Sequence, residues 1–309
     1  MSVQRKRNFN KKRKDFLFVC AIITLPLLQF LIFYVAVNLN SILLAFRQYD
    51  ANGNSSFAGL SNFTQLFEDF QTLTLYRTAL KNSAIVFLVG CPVSLLLATA
   101  FSYFIYDKKS KVFDFFKVIL FLPSIIPAIA LATMFIQMVD SAIPTFLRGF
   151  LGEGIKGLLQ NPKTTLGTII FYNVWCSFGV NVLMISNAMS AVSPSLLEAS
   201  TLDGCGWGRK FAHVVFPEIY GTLETLLITS LGGFFINNAS IVSFYGTGAE
   251  ERIYTMGYYL YKETILASSS GSNAKMPKLA ALGILLTAIT VPVVFLVRYL
   301  LDRFGPRKD

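Results

Sequence analysis

Six stretches of this 309-residue chain are apolar over some twenty residues or more, and they limit the fold more than any other feature. They run roughly Phe16 to Leu39, Ser83 to Tyr106, Val118 to Met138, Leu166 to Met189, Leu223 to Phe244 and Leu279 to Leu301. A hydrocarbon core ~30 Å thick needs about 20 helical residues to cross it. Inside that core every backbone N–H and C=O must find its partner within the segment. The pattern predicts an all-α integral membrane protein: a basic tail over residues 1–15, then six transmembrane helices within residues 16–309. Composition agrees, with 54% hydrophobic and only 14% charged residues, against roughly 25% charged in a soluble domain.

The net charge of +10 would suit nucleic acid, but its placement argues otherwise. Arg5, Lys6, Arg7, Lys11, Lys12, Arg13 and Lys14 stand just ahead of the first apolar run. With only Phe9 interleaved, they suit anionic membrane lipid rather than stacked bases, so no nucleic acid is expected. That run is too long for a signal-peptide core and no small-x-small site follows it, so a cleaved signal is not expected.

An even number of spans puts both termini on one side. The tail, Lys108, Lys109, Lys111, Lys117, Arg209, Lys210, Arg298, Arg303, Arg307 and Lys308 share that side, and the remaining ten Lys and Arg fall opposite. The richer side is cytosolic by the positive-inside rule. The cysteines Cys20, Cys91, Cys176 and Cys205 show no C-x-x-C spacing, and His213 has no second ligand nearby. Neither disulfide, metal nor any other cofactor is expected.

Between the fourth and fifth runs lies SPSLLEASTLDGCGWGRKFAHVVFPEI, Ser193 to Ile219, too polar and too rich in glycine to enter a bilayer. Ser193 before Pro194 reads as an N-cap with proline at the first helical position, and Leu196, Leu197, Ala199 and Leu202 give the helix an apolar face. Gly204 stops it, Gly206 and Gly208 keep the turn bendable, and a second helical stretch around Phe211 to Val215 ends at Pro217. The expected product is a helix–turn–helix elbow facing water.

Glu198, Ala199 and Ser200, then Asp203, Gly204 and Pro217, resemble the "EAA" signature of inner-membrane permeases of binding-protein-dependent ABC importers. Ser200 stands where alanine is commoner, and Phe216 where leucine is usual. The resemblance implies a type I importer permease fold and a bacterial inner-membrane location. It also implies that Glu198, Ala199, Asp203 and Gly204 couple to a cytosolic ATPase. Phe57 to Asp69, FAGLSNFTQLFED, resembles the segment ahead of the core spans in maltose-type carbohydrate permeases. Its alternation predicts a short amphipathic element with Phe57, Leu60, Phe63 and Phe67 facing inward.

Pro92 in the second run, and Pro123 and Pro127 in the third, free carbonyls that only protein or water can satisfy. These spans are pore candidates or simply kinked; the L-P-x-x-x-P pattern again resembles the carbohydrate permeases. In the fourth run Asn173 and Ser177 share a face with Asn181, beside Trp175. In the fifth, Gly232 and Gly233 precede Asn237 and Asn238, with Ser230 and Ser240 nearby. Such groups line a cavity or bond helix to helix, and the residues alone leave both open. The "N-x-W" at Asn173 to Trp175 matches family members whose residues here touch sugar. On that resemblance Asn173, Trp175, Ser177, Ser230, Asn237 and Asn238 are candidate carbohydrate contacts. The family's "N-N-F" and "G-G-P" are here Asn237, Asn238, Ala239 and Gly246 to Ala249.

No G-x-x-x-x-G-K-[ST] loop, metal cluster or nucleophile pair is present, so the chain is expected to be a transport subunit without catalytic residues. A proton- or ion-coupled carrier is the alternative, but it would bury ionisable groups, and only Glu224 approaches a run. Importer membership implies further partners: a second homologous permease, a pair of ATPase subunits and an extracytoplasmic solute-binding protein.

Overall fold

The computed structural model describes residues 2–50, 53–108, 111–151, 156–270 and 273–306. Lys109, Arg307 and Lys308 of the charge count lie outside the described residues. Six helical stretches among those described are long and apolar enough to span a membrane: Lys14–Leu44, Thr74–Lys108, Ala128–Phe150, Thr165–Ser190, Trp207–Gly232 and Met276–Phe304. The chain divides into two compact units, one reaching to Phe67 with Ala267–Leu285, the other Glu68–Leu266 with the stretch from Leu286.

In the first unit α1 (Ser2–Gln29) passes through a π-helical stretch, Phe30–Ala36, into α2 (Val37–Leu44). The basic tail and the first span are thus one helix, and no residue of Lys14–Leu44 is buried. Strands β1 (Arg47–Tyr49) and β2 (Ser55–Phe57) follow as an antiparallel hairpin with Gln48 opposite Ser56. Asn62, near the start of α3 (Ser61–Thr72), donates its amide to Ala45 and Arg47 carbonyls, both at 2.8 Å. The expected inward face is corrected here. Phe57, Leu60 and Phe67 are exposed, Phe63 is half-buried against Phe46, and Asn62 and Leu66 are buried instead. Asn62 needs the inward position to satisfy those two carbonyls, which rotates the aromatic stripe outward.

In the second unit α4 (Thr74–Lys108) packs along α8 (Thr165–Ser190), and α5 (Lys111–Ile125) crosses α8 at Gly179. A Cβ on Gly179 would stand 1.9 Å from the Leu120 carbonyl oxygen, so only glycine admits this approach. Pro92 lies inside α4 without ending it. Ala98, Tyr103, Val182, Ile185, Met189, Val215 and Ile219 form a buried core near one end of the bundle.

Two spans differ from the expected runs. The third breaks at Pro127, whose φ −53° and ψ 131° leave the helix, and resumes as α6 (Ala128–Ile136). Proline disfavours helical geometry in the residue before it, here Ile126, so the span shifts toward the C-terminus. It continues through a π-helical stretch, Gln137–Ala142, into α7 (Ile143–Leu151). This brings Asp140 into a helical span, correcting the expectation that Glu224 alone approaches one. Its carboxylate accepts the Leu159 N–H at 2.9 Å, an acceptor role satisfied by backbone.

The fifth span begins inside the elbow. After α9 (Pro194–Leu202), α10 (Trp207–Lys210) runs through a π turn, Phe211–Val215, into α11 (Phe216–Gly232). Pro217 was expected to end the elbow's second helix, yet the helix passes through it. The Phe216 N–H reaches back five residues to Phe211, a wide turn that accommodates a residue lacking its own N–H. The span ends at Gly232 rather than Phe244, with Gly233 as its C-cap. Beyond the break come α12 (Ile241–Tyr245), α13 (Met256–Ser269) and α14 (Met276–Phe304).

Candidate functional site

A cavity of about 430 Å³ opens between α4, α8 and α11, in the second unit. Ser83, Cys91 and Ser94 reach it from α4, Asn173, Ser177 and Asn181 from α8, and Thr229 and Ser230 from α11. Asn237 and Thr255 complete its polar lining, and Val86, Phe87, Phe234 and Ile236 are among its apolar walls. Among the described residues, no Asp, Glu, Lys, Arg or His is in the lining. Ser177 and Ser94 hydroxyls pair at 2.9 Å, and Asn181 donates to Ser94 at 2.9 Å, joining α4 to α8. Ser230 and Cys91 line the same cavity wall.

Of the six residues singled out from the sequence, Asn173, Ser177, Ser230 and Asn237 share this cavity. Trp175 and Asn238 are not part of its wall. Trp175 stacks with Phe135, centroids 6.2 Å apart, and meets the Tyr172 ring edge-on. Asn238 accepts the Ser240 N–H at 3.0 Å. Sequence reasoning missed Ser83, Cys91 and Ser94, although their spacing along one helix places them on a common face. Thr255 is far from the others in sequence and carries no such signal.

Between Gly233 and Ser240 the chain leaves helical geometry. Ala239 and Ser240 both take positive φ, 51° and 60°, and each left-handed non-glycine residue costs roughly 1–3 kcal/mol. Two successive side-chain turns hold them: Asn237 Oδ1 accepts the Ala239 N–H at 2.7 Å, and Asn238 does the same for Ser240. From α8, Asn173 Nδ2 donates to the Ala239 carbonyl at 2.9 Å and to Ile169 at 2.8 Å, while its Oδ1 accepts the Ser240 hydroxyl at 2.8 Å. Thr255 donates to the Asn237 carbonyl at 3.1 Å. Among the described residues, the Asn237 Nδ2 has no partner, so it is the amide available to a ligand.

At the other end of α8 stands the elbow. Gly204 takes φ +71° and closes α9 with paired bonds, Cys205 N–H to Ser200 and Gly204 N–H to Thr201, at 3.0 and 3.1 Å. This is the double closure a left-handed glycine permits. Pro194 is the first helical residue as expected. The Ser193 hydroxyl, however, pairs with Ser195 at 2.7 Å instead of capping a backbone N–H. Ser200 is buried, with its hydroxyl donated to Leu197 at 2.8 Å, so it fits where a smaller residue is usual.

Glu198, Ala199, Asp203 and Gly204 are all exposed, as are Leu196 and Leu202, the latter 89%. A groove of about 600 Å³ lies beside them, lined by Tyr103, Tyr106, Asp107, Leu197, Glu198, Thr201, Leu202 and Lys210. Lys210 donates to Thr201 across the elbow at 2.9 Å, and the Tyr103 hydroxyl donates to the Trp207 carbonyl at 2.8 Å. Among the described residues, exposed His213 hydrogen-bonds with the Arg209 carbonyl alone, 3.1 Å away.

Residues 90–309 match the model of the family described as binding-protein-dependent transport system inner membrane component. The sn-glycerol-3-phosphate transport system permease protein UgpA of Yersinia pseudotuberculosis is 29% identical over 72% of this chain and 74% of its own length. The arabinooligosaccharides transport system permease protein AraP of Bacillus subtilis is 28% identical over 92% and 87%. In fold the chain is similar to one from a bacterial ABC transporter that imports the acidic polysaccharide alginate, with a TM-score of 0.76, 19% identity, and 97% and 99% coverage. A chain of the alginate transporter bound to its pentasaccharide-loaded periplasmic protein gives 0.78, 20% identity, and 98% and 100% coverage.

Proposed function

The chain belongs to the family of inner-membrane components of binding-protein-dependent transport systems, and from that premise we propose that it is one permease half of an ABC importer for a neutral saccharide. It is a multi-pass transport subunit of a bacterial inner membrane, not an enzyme. The proposal adds its partners: a second homologous permease, a pair of cytosolic ATPase subunits that hydrolyse the ATP, and an extracytoplasmic solute-binding protein that delivers the sugar.

The observation that carries the substrate class is the uncharged cavity. Hydroxyls of Ser177 and Ser230 and the amide of Asn237 suit sugar hydroxyls, and Phe87 and Phe234 suit the apolar faces of sugar rings. Asn173 contributes to the same wall. An anion such as glycerol phosphate or a uronate would need a cationic partner at membrane depth, and among the described residues the lining supplies none. An ion-coupled carrier would likewise need ionisable lining groups.

The transporter reconstituted with its co-purifying binding protein should take up neutral oligosaccharides and ignore glycerol 3-phosphate and alginate fragments. Uptake of either anion in preference would overturn the assignment. Asn237→Leu should weaken substrate binding by at least about 1 to 3 kcal/mol, the cost of a lost buried hydrogen bond, with assembly intact; part of the loss comes through the Ala239 turn, whose N–H loses its Oδ1 acceptor. Unchanged uptake would make Asn237 a packing residue.

Orientation follows from the charge bias and is part of the proposal. Cysteine placed at Ser2 should be shielded from an impermeant thiol reagent in intact cells, whereas cysteine at Ser55 or Ser270 should react. The opposite labelling would reverse the topology and put the elbow outside, where no ATPase could reach it.

A further inference from the structure

Asn173 directs its hydrogen bonds at backbone and at Ser240, not at the cavity. Both Nδ2 hydrogens go to carbonyls and its Oδ1 holds the Ser240 hydroxyl. We propose that Asn173 is a positioning residue for transport: it latches the break in the fifth span in its left-handed conformation, and so keeps the end of the cavity remote from the elbow closed. This rests on the importer reading above.

Three observations converge on the latch. Ala239 and Ser240 occupy a backbone region that L-residues avoid, so this turn persists only where its surroundings impose it. The side-chain turns of Asn237 and Asn238 act within the break and travel with it. Among the described residues, only Asn173 and Thr255 bond it by side chain to other elements. Ala239 is wholly buried, and its carbonyl takes the Asn173 amide; without that donor it would be a buried acceptor lacking a partner.

The break is also part of the cavity wall, through Gly233, Ile236 and Asn237. Its movement therefore reshapes the space a substrate occupies. Asn173 stands on the same face of α8 as Ser177 and Asn181, about one and two turns along. Latch and substrate wall share one rigid element. Backbone strain at Ala239 and Ser240 favours leaving the turn once Asn173 lets go, so the break is held against a local opening tendency.

Native Cys91 in the cavity wall supplies the readout. In the full transporter, with Cys20, Cys176 and Cys205 replaced by alanine, a polar thiol reagent applied from the side remote from the elbow should label Cys91 slowly. Asn173→Leu should label about tenfold faster, as expected for the loss of a buried hydrogen bond of ordinary strength. Adding Ala239→Gly to that variant should slow labelling again, because glycine takes positive φ without steric cost. A residue that merely packs would not show this rescue.

Unchanged Cys91 labelling in Asn173→Leu, or fast labelling that Ala239→Gly leaves unaltered, overturns the latch. Should Asn173→Leu not assemble, Ser240→Ala removes one bond of the three. It should then raise the rate by about threefold, and no change there is equally decisive. Labelling needs no substrate, so absent uptake by the wild-type complex would count against the importer reading while the latch is still read.

Discussion

Glu198→Arg should abolish uptake while leaving the permease inserted, paired with its partner permease and normally stable. Exposed Glu198 lines a groove together with Asp107 and two tyrosines. On the proposal that this elbow docks the ATPase, reversing that charge should cost about 2 to 5 kcal/mol of association when its partner is left buried. ATPase co-purification and uptake should therefore fall together, both normalised to permease in the membrane. Gly204→Ala separates docking from folding. A Cβ at Gly204 meets nothing within 4 Å, so its cost is the left-handed backbone penalty, roughly 1–2 kcal/mol. A Gly204 that only caps α9 would show lowered stability with transport per folded molecule preserved. Wild-type docking and uptake in Glu198→Arg would sink the coupling assignment for this elbow.

Among the described glycines, Gly179→Ala should be the most damaging single methyl. The added carbon would lie 1.9 Å from the Leu120 oxygen and 2.8 Å from the Phe121 Cα. Backbone cannot rotate away as a side chain can, so α5 must move off α8, at a cost of about 3 kcal/mol or more. Gly221→Ala in α11 is the matched control. It meets nothing within 4 Å and should stabilise by roughly 0.5 to 1 kcal/mol through helix propensity. Heating purified complexes in steps and measuring the monodisperse fraction should show a large loss for the first and none for the second. Equal behaviour of the two would mean that the α5–α8 approach is looser than the structure places it.

Hydropathy made the number of spans legible because lipid imposes one demand on every crossing residue, and local sequence carries that demand. The elbow was legible for a similar reason. Gly204 and Pro194 mark helix ends by covalent geometry, and both do so in the structure. Reading failed where a residue's effect depends on what stands five residues away or on another helix. Pro217 looked like a stop because a proline interrupts an α-helix; the preceding π turn, which removes the conflict, has no composition of its own. Asp140 was passed over because the third span was ended at Met138, and its acceptor role needs the distant Leu159 backbone. The stripe of Asn173, Ser177 and Asn181 was visible as a face. Its division of labour was not, since only tertiary contact shows that Asn173 is engaged by backbone and Ser240.

The unbroken helix from Trp207 to Gly232 fixes a phase relation as well as a connection. Each residue added to an α-helix turns everything beyond it by about 100° and advances it about 1.5 Å. A single insertion between Lys210 and Thr229 would therefore swing Thr229 and Ser230 away from the cavity while leaving the turn of the elbow untouched. Four residues added together would bring them back within about 40°. This stretch behaves as a keyed shaft: its length is free to drift only in near-whole turns.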